Sequence, residues 1–473
     1  MPFHGRQPEL EALDRAYSHA GGCLAIVYGR RGVGKTALLR HWLDTRRHGA
    51  LWLTAVPGMP VDQLRAFSQA VHAFNSPHRS PPADFAYRDW DEALEQVAQL
   101  AERRRLVLVV DEFTDWLENE PALPSILQRI WDHRLKETQL FLALIGSHLH
   151  RMRYDVLSYH APLYGRARFI AQLRPLPFGA LFSFFPDYAA AERVALYACL
   201  GGMPCYLSQL DPCRPTHDNL KAWLSWPNLF TQAKANLQDL GDRPDDYGRM
   251  LVVIAAGHTQ TDQIARHAGM TVARVKRRLI ELENMSVLRQ EQPAKEPHYR
   301  LSPYRRWCII DQDLHFYYRF LAAQQQGRVD GAWDTIRRQL PKYITESVFK
   351  GLCQEWVIRE WGTERLPLRP QRVGAFWSQG KSGIDVVAVD EEQRTVLLGA
   401  CFWTGRPVGQ QVVTGLCLKA DRVLASLGKG WAVRYAFFSR SGFTDNARRT
   451  AERRSALLVE LDEIDRRLRT ADA

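Results

Sequence analysis

The chain has 473 residues, 46% of them hydrophobic and 24% charged, proportions that indicate a globular protein with two to four domains. No apolar run approaches the ~18 residues that cross a bilayer and the first residues lack a signal segment, so we expect a cytoplasmic protein that makes no membrane contact. Its 8 cysteines show no CxxC spacing, which argues against the common zinc motifs. The net charge of +11 is spread along the chain, so it permits contact with nucleic acid without demanding it.

The first segment with a functional signature lies at residues 23–39. An apolar run, Cys23 to Tyr28, predicts a buried strand, and a helical pattern begins after Thr36. Between them, GRRGVGKT at residues 29–36 matches the GxxxxGK[ST] phosphate-binding loop in its required strand–turn–helix context. We expect Lys35 to reach the β- and γ-phosphates of a nucleoside triphosphate, and Thr36 to ligate Mg²⁺. The residues predicted to bind the nucleotide are Gly29, Arg30, Arg31, Gly32, Val33, Gly34, Lys35, Thr36 and Ala37.

A second apolar run ends in two carboxylates. Residues 106–110 predict another buried strand, followed at once by Asp111 and Glu112. Downstream of a phosphate-binding loop this is the Walker B pattern, in which Asp111 would hold the water shell of Mg²⁺ and Glu112 would orient or deprotonate the attacking water. Lys35, Asp111 and Glu112 are therefore the predicted catalytic residues.

A third buried strand, Leu140 to Gly146, ends at Ser147. P-loop ATPases of the additional-strand class place a sensor of the γ-phosphate at this strand end, and by this resemblance Ser147 is a sensor candidate. His148 and His150 follow, but two histidines without a third ligand predict no metal site.

Further segments resemble one family when taken in order with these motifs: FHGRQPE at residues 3–9, SYHAPLYGR at 158–166, LPF at 176–178 and GGMPCYL at 201–207. The series is similar to the archaeal-type ATPase family, in the MNS branch of the STAND NTPases. The resemblance implies that Gly5, Arg6 and Glu9 pack against the adenine and ribose of ATP. It also implies that Pro204 closes over the base, and it makes Arg166 a second sensor candidate.

Residues 237–320 are predicted to form a winged-helix domain. Residues 250–256 give one helix, a second begins at Thr261, and residues 272–285 give the third. The third helix carries four basic residues where a DNA-reading protein places its contacts: Arg274, Lys276, Arg277 and Arg278. Glu281 and Glu283 follow, and the resemblance implies a lid on the nucleotide, so we favour a lid over DNA binding.

The last module, residues 343–473, resembles the restriction-endonuclease-like fold that accompanies this ATPase family. Residues 384–389 and 396–400 are predicted to form two adjacent strands of this module. Family members carry EIDhh and GECKW there, so that two carboxylates hold Mg²⁺ beside a lysine. The corresponding positions here are Gly383, Asp385, Ala400 and Phe402. One carboxylate is a poor Mg²⁺ site. We therefore expect a docking module without nuclease activity, the alternative being that Glu355, Gln410, Gln411 or Lys419 supplies the missing groups.

Taken together, these patterns predict an α/β protein. Its parts are a P-loop NTPase core (parallel sheet flanked by helices) with a helical extension at 1–236, a winged-helix domain at 237–320, a linker at 321–342 and the restriction-endonuclease-like domain at 343–473. We expect a STAND-type switch ATPase with slow hydrolysis, whose nucleotide state positions the later domains, in defence or mobile-element biology. Two alternatives stay open, an ATP-regulated DNA nuclease and a DNA-binding regulator that uses the winged helix. The expected ligands are ATP, ADP and Mg²⁺; DNA, a protein docked on the last domain and a nucleotide-dependent homo-oligomer are further candidates.

Overall fold

In the computed structural model the chain folds into two compact units. Unit 1 comprises Met1–Pro175 and Gln232–Pro244, and unit 2 comprises Leu176–Thr231 and Asp245–Ala473. The structure describes residues 3–76, 78, 81–226, 228–241, 243–294, 302, 304–323, 330–378, 381–416, 424 and 430–469.

Unit 1 is built on a five-stranded parallel sheet in the order β2-β3-β4-β1-β5. Its strands are β1 (Cys23–Tyr28), β2 (Ala50–Thr54), β3 (Leu106–Asp111), β4 (Leu140–Gly146) and β5 (Ala167–Gln172). Every residue of β1, β3 and β4 is buried, as central parallel strands covered on both faces require. Because all five strands run the same way, the segments that follow β1, β3 and β4 lie along one edge of the sheet.

Helices flank this sheet, as the alternation of apolar strands and amphipathic segments predicts. The helix Trp90–Arg103 is an example: the side chain of Asp89 accepts a hydrogen bond from the backbone of Glu92, which caps its first turn. The α-helices of unit 1 are Gln7–Tyr17, Lys35–Arg46, Pro60–Asn75, Trp90–Arg103, Phe113–Asn119, Leu123–His133 and Leu149–Arg151. A π-helical turn, Met152–Val156, follows the last of them.

Unit 2 contains a second five-stranded sheet, of mixed direction, in the order β12-β11-β10-β9-β8. Its strands are β8 (Arg372–Ser378), β9 (Lys381–Asp390), β10 (Thr395–Phe402), β11 (Ala432–Ser439) and β12 (Leu457–Glu460). The pairs from β8 to β10 are antiparallel, and those from β10 to β12 are parallel. Two further strands, β6 (Leu288–Glu291) and β7 (Arg306–Ile309), form a separate antiparallel pair. Val387, Val396 and Phe437 are buried in the hydrophobic core that packs on the five-stranded sheet of unit 2.

The α-helices of unit 2 precede, separate and follow these strands. They are Leu181–Phe184, Ala190–Leu200, Pro204–Leu207, Thr216–Leu224, Pro244–Ala255, Thr261–Ala268, Val272–Asn284, Gln312–Phe316, Asp330–Tyr343, Lys350–Glu360, Asp445–Glu452 and Leu461–Arg469. Helix Asn228–Gln238 begins in unit 2 and ends in unit 1, and the first residue of helix Pro244–Ala255 also belongs to unit 1. Residues 410–416 are helical, and residues 417–423, Lys419 among them, lie outside the described part. No described helix combines the length and the apolar composition needed to cross a bilayer.

The division into units differs from the predicted domain boundaries at residues 176–231, which the sequence places with the ATPase core. In the structure, helix Ala190–Leu200 of this segment packs against helix Leu461–Arg469 at the end of the chain. Arg193 Nη2 lies 2.6 Å from Asp465 Oδ2, and each side chain is only 2% exposed. Arg193 also donates to the carbonyl oxygen of Phe185 at 3.1 Å. A buried ion pair needs such additional hydrogen bonds to offset the loss of water.

Candidate functional site

The loop after β1 has a backbone that only glycine adopts easily. Gly29 has a φ of 154°, and a Cβ added there would lie 2.4 Å from the carbonyl oxygen of Leu173. Gly34, with a φ of 98°, directly precedes helix Lys35–Arg46. The loop amides and the first turn of the helix therefore meet at one place, which is the arrangement that binds phosphate groups.

Lys35 is the cation of this loop. Its side chain is buried, and its Nζ donates to the carbonyl oxygens of Gly29 at 2.9 Å and Arg30 at 3.1 Å. Burial lowers the pKa of Lys35 to about 8, although Glu112 and Asp111 oppose the shift by stabilising the ammonium. A phosphate would stabilise the charged form further, so this lysine is suited to an anionic ligand.

Thr36 and Asp111 come together from the two sequence motifs. The Thr36 hydroxyl donates to Asp111 Oδ2 at 2.8 Å, and Asp111 is buried at the end of β3. Burial raises the pKa of Asp111, while the hydrogen bond from Thr36 opposes this shift. A hydroxyl and a carboxylate are the hard oxygen donors that Mg²⁺ prefers, so the residues present fit that ion.

Glu112 and Ser147, which directly follow the adjacent strands β3 and β4, contact each other. Ser147 donates from its hydroxyl to Glu112 Oε1 at 2.6 Å and from its backbone amide to Oε2 at 3.1 Å. Glu112 itself has a φ of 54°, an unfavourable backbone conformation for a residue other than glycine. The structure thus brings the predicted base and the predicted sensor into direct contact.

Arg6 lies against the same loop from the N-terminal segment. Its guanidinium donates to the carbonyl oxygens of Val33 at 3.1 Å and Arg174 at 2.5 Å, and to Glu9 Oε1 at 3.2 Å. Gly5, like Arg6, has a φ of 68°. The hydrogen bond to Val33 supports the backbone of the phosphate-binding loop. The role at the adenine and ribose that the resemblance implies for Arg6 stays a prediction.

Arg31 has a partner that no motif predicted. Its Nε lies 2.8 Å from Oδ2 of Asp239, whose side chain is 10% exposed. Asp239 is separated from Arg31 by 208 positions and belongs to none of the recognised motifs. Nearby, burial and the charge of Glu112 raise the pKa of Asp115 to about 6.

Arg166 is placed away from these residues. It precedes β5, whose first residue, Ala167, pairs with Leu24 near the start of β1, whereas the phosphate-binding loop follows the end of β1. At ~3.3 Å per residue, the two ends of such a strand are on the order of 15 Å apart. Arg166 Nη2 instead lies 2.6 Å from Asp132 Oδ2. The arginine does not join Ser147 at the carboxyl edge of the sheet, because it enters β5 from the opposite edge.

Pro204 lies in unit 2, at the start of helix Pro204–Leu207. The motif that contains Pro204, residues 201–207, contacts the motif at residues 176–178: the amide of Leu176 donates to the carbonyl oxygen of Gly202 at 2.8 Å. A Cβ at residue 202 would come 1.7 Å from the Leu176 carbonyl oxygen, which explains the glycine. The role of Pro204 at the base remains a prediction.

The four basic residues of helix Val272–Asn284 form two groups: two have acidic partners within the protein, and two are exposed. Arg274 makes two hydrogen bonds of 2.8 Å to Asp246, and buried Arg278 lies 2.6 Å from Glu281. Lys276 and Arg277 are exposed. Half of the predicted DNA-contacting charge is therefore engaged within the protein.

Asp385, the remaining acid of the nuclease-like positions, has a partner on each carboxylate oxygen. Lys350 Nζ lies 2.8 Å from its Oδ1, and the amide of Cys401 donates to its Oδ2 at 3.1 Å. Gly383, Ala400 and Phe402 bring no charge to the same strands. Glu355, one of the residues considered as a replacement, is 2.6 Å from Arg359 instead. Sequence reasoning missed Lys350, because it lies on a helix far upstream of the strand motifs.

Comparisons with known proteins agree with this architecture. Residues 3–210 match a family described as ATPase domains predominantly from Archaea, and residues 314–412 match a family of archaeal and bacterial proteins of unknown function. A protein of Methanocaldococcus jannaschii is 26% identical over 405 residues, covering 85% of this chain and 87% of that protein. A second protein of that organism, named as ATP-binding, is 42% identical over 45 residues, or 10% of this chain and 76% of its own length.

Among solved structures, the Walker-type ATPase of Pyrococcus abyssi superposes with a TM-score of 0.50. It is 18% identical, and the match covers 67% of this chain and 96% of that one. At this level of identity the likeness shows a shared fold, which is the α/β arrangement of the parallel sheet described above.

Proposed function

We propose that this chain, whose residues 3–210 match a family described as ATPase domains predominantly from Archaea, is a switch ATPase whose nucleotide state positions unit 2. The observation that supports this most is the meeting of two motifs at one sheet edge. Lys35 and Thr36 lie at the start of one helix, and the Thr36 hydroxyl reaches Asp111 at 2.8 Å. We assign ATP to this edge, with the predicted roles of its residues as follows.

Lys35 would bind the β- and γ-phosphates with its ammonium, supported by the loop amides. Thr36 and Asp111 would hold Mg²⁺, which neutralises phosphate charge when bound. Glu112 would orient the attacking water and accept its proton. Its two oxygens are engaged by Ser147, so the carboxylate is restrained before any water reaches it. We therefore propose slow hydrolysis, which suits a switch better than a motor.

For the C-terminal domain we propose docking without nuclease chemistry. The Lys350 ammonium and the Cys401 amide engage both oxygens of Asp385. A lysine in direct contact also opposes a divalent cation, because like charges repel at this distance. The arrangement favours a surface that binds a partner protein over one that cleaves DNA.

The winged-helix proposal for residues 237–320 is a lid and not a DNA reader. Asp246 and Glu281 neutralise Arg274 and Arg278, which leaves two exposed basic residues on the helix. A DNA-binding domain gains most of its affinity from several phosphate contacts made together. DNA binding therefore remains the less favoured alternative.

One experiment separates the three functions. The full-length protein is incubated with Mg²⁺ or Mn²⁺ and ATP, with and without single- and double-stranded DNA, and both phosphate release and DNA cleavage are measured. We expect ATP hydrolysis that DNA leaves unchanged, and intact DNA. Hydrolysis stimulated by DNA would favour the regulator, and cleavage that disappears in Asp385→Ala would establish a nuclease.

A further inference from the structure

Asp239 connects two parts of the candidate ATP site. Its carboxylate accepts from Arg31 of the phosphate-binding loop at 2.8 Å. Its backbone carbonyl oxygen is 3.4 Å from the amide of His150, in the segment that follows Ser147. Gly241 lies so close to this segment that a Cβ would come 3.1 Å from His150 Nδ1. Residues 239–241 therefore contact the loop on one side and the strand end that carries Ser147 on the other.

The charges around Asp239 are those that a nucleotide would disturb. The carboxylate lies within electrostatic range of Lys35, whose ammonium it stabilises, and of Asp115, whose ionisation it opposes. A γ-phosphate bound by Lys35 adds negative charge here. A γ-phosphate that reaches the Arg31 guanidinium would compete with Asp239 for its N–H donors, and its negative charge would repel the buried carboxylate.

Asp239 lies on a segment that connects the two units along the chain. It follows directly on helix Asn228–Gln238, which begins among residues of unit 2 and ends in unit 1. The segment Gln232–Pro244 belongs to unit 1, and the chain on both of its sides belongs to unit 2. A change at Asp239 therefore acts on a segment that is covalently joined to unit 2 at each end.

We propose that the Arg31–Asp239 ion pair distinguishes ATP from ADP, holding residues 239–241 in the ADP form and releasing them when a γ-phosphate takes Arg31. This regulation rests on the proposed function, because it acts at the same loop. Asp239 is a positioning residue in this scheme: it acts through Arg31 and the segment it holds, and it takes no part in the chemistry.

Hydrogen exchange of the full-length wild-type protein tests the release directly. Backbone amides at residues 238–241 and at His150 are followed without nucleotide, with Mg-ADP and with a non-hydrolysable Mg-ATP analogue, and binding of each nucleotide is measured in parallel. We expect these amides to exchange at least about fivefold faster with the ATP analogue than with ADP. Equal exchange, with both nucleotides bound, would overturn this inference alone. Failure of either nucleotide to bind would overturn the proposed function as well.

The affinities of a variant for the two nucleotides provide a second, independent test. Asp239→Asn removes the repulsive charge, so we expect the affinity for the ATP analogue, relative to that for ADP, to rise about fivefold. The matched control is Asp14→Asn, which breaks the ion pair with Arg46 at the far end of helix Lys35–Arg46 and should leave that ratio unchanged. An unchanged ratio in Asp239→Asn, or an equal shift in Asp14→Asn, would contradict the proposal.

Discussion

Ser147 donates two hydrogen bonds to Glu112, one to each carboxylate oxygen, across the ends of adjacent strands β3 and β4. The shorter of them, 2.6 Å from the Ser147 hydroxyl to Oε1, has the length of a hydrogen bond to a charged acceptor. These hydrogen bonds fix the orientation of the Glu112 carboxylate and also make its oxygens less available to a water molecule. Because Ser147 holds the Glu112 carboxylate in place, the rate of ATP hydrolysis should depend on both residues.

Loss of the Ser147 hydroxyl should therefore speed the chemical step. In Ser147→Ala the backbone amide still holds Oε2 while Oε1 is released, and one hydrogen bond to a charged group is worth about 1.5–3 kcal/mol. We expect a single-turnover rate of ATP hydrolysis about tenfold higher with unchanged ATP affinity. The control is Ser18→Ala, whose hydroxyl bonds the carbonyl oxygen of Asp14. A large fall in rate would instead place the Ser147 hydroxyl on the phosphate in the transition state.

Removal of the Lys35 ammonium should abolish ATP binding, since the phosphates lose their buried counter-charge. Titration calorimetry of Lys35→Ala with Mg-ATP should detect no binding at concentrations that saturate the wild type. Lys136→Ala serves as the control, because Lys136 is exposed and its backbone contacts Gly22 at the start of β1, away from the loop. Unchanged affinity in Lys35→Ala would show that the nucleotide binds elsewhere.

The Arg193–Asp465 pair should be costly to break on one side only. Arg193→Ala leaves a carboxylate that is 2% exposed with Arg469 as its remaining cation. We expect a loss of about 3–5 kcal/mol in the free energy of unfolding, measured by chemical denaturation. Arg448→Ala breaks the exposed pair with Glu460 in the same unit and should cost less than about 1 kcal/mol. Equal costs for the two variants would show that burial does not set the energy of this pair.

Stability should fall in acid because of His315. Burial, with a smaller effect of Arg319, lowers the pKa of His315 to about 4, and the ring contacts the hydroxyl of Tyr343 at 2.9 Å. The unfolded chain then binds more protons than the folded chain between pH 6.5 and about 4, so stability is lost as the pH falls through this window. We expect up to about 3 kcal/mol of this loss to be absent from His315→Gln in denaturation at several pH values. Parallel pH profiles for variant and wild type would contradict the assignment.

The core of unit 1 could be predicted closely because its signals are local. Residues 23–28 and 140–146 are short apolar runs bounded by turn residues, and the structure has strands with those bounds. Strand β5, Ala167–Gln172, was not predicted, since its mostly half-buried or exposed residues show neither an apolar run nor a clean alternation. In the C-terminal sheet the two strands predicted to be adjacent are paired and have longer bounds, Lys381–Asp390 and Thr395–Phe402.

In the candidate site, too, some residues could be predicted from local sequence signals and others could not. Lys35 and Asp111 could each be located from a short motif, because the residues of one motif lie within a few positions of each other in the sequence. The contacts of Arg31 with Asp239 and of Lys350 with Asp385 join residues far apart in the chain. Only tertiary packing brings such pairs together, and a single sequence carries no signal for it. Residues 176–231 belong to unit 2 and make long-range contacts of the same kind there, one of which joins Arg193 to Asp465.

The most direct test of the account is single-turnover hydrolysis of Mg-ATP by the full-length protein and by Glu112→Gln. The substitution keeps the size of the side chain and removes the proton acceptor, while Lys35, Thr36 and Asp111 are left in place. We predict slow but measurable phosphate release by the wild type, and Mg-ATP binding with at least about 100-fold slower release by Glu112→Gln. Equal rates in the two proteins, or no hydrolysis by the wild type above that of Lys35→Ala, would contradict the assignment of this site as an ATPase centre.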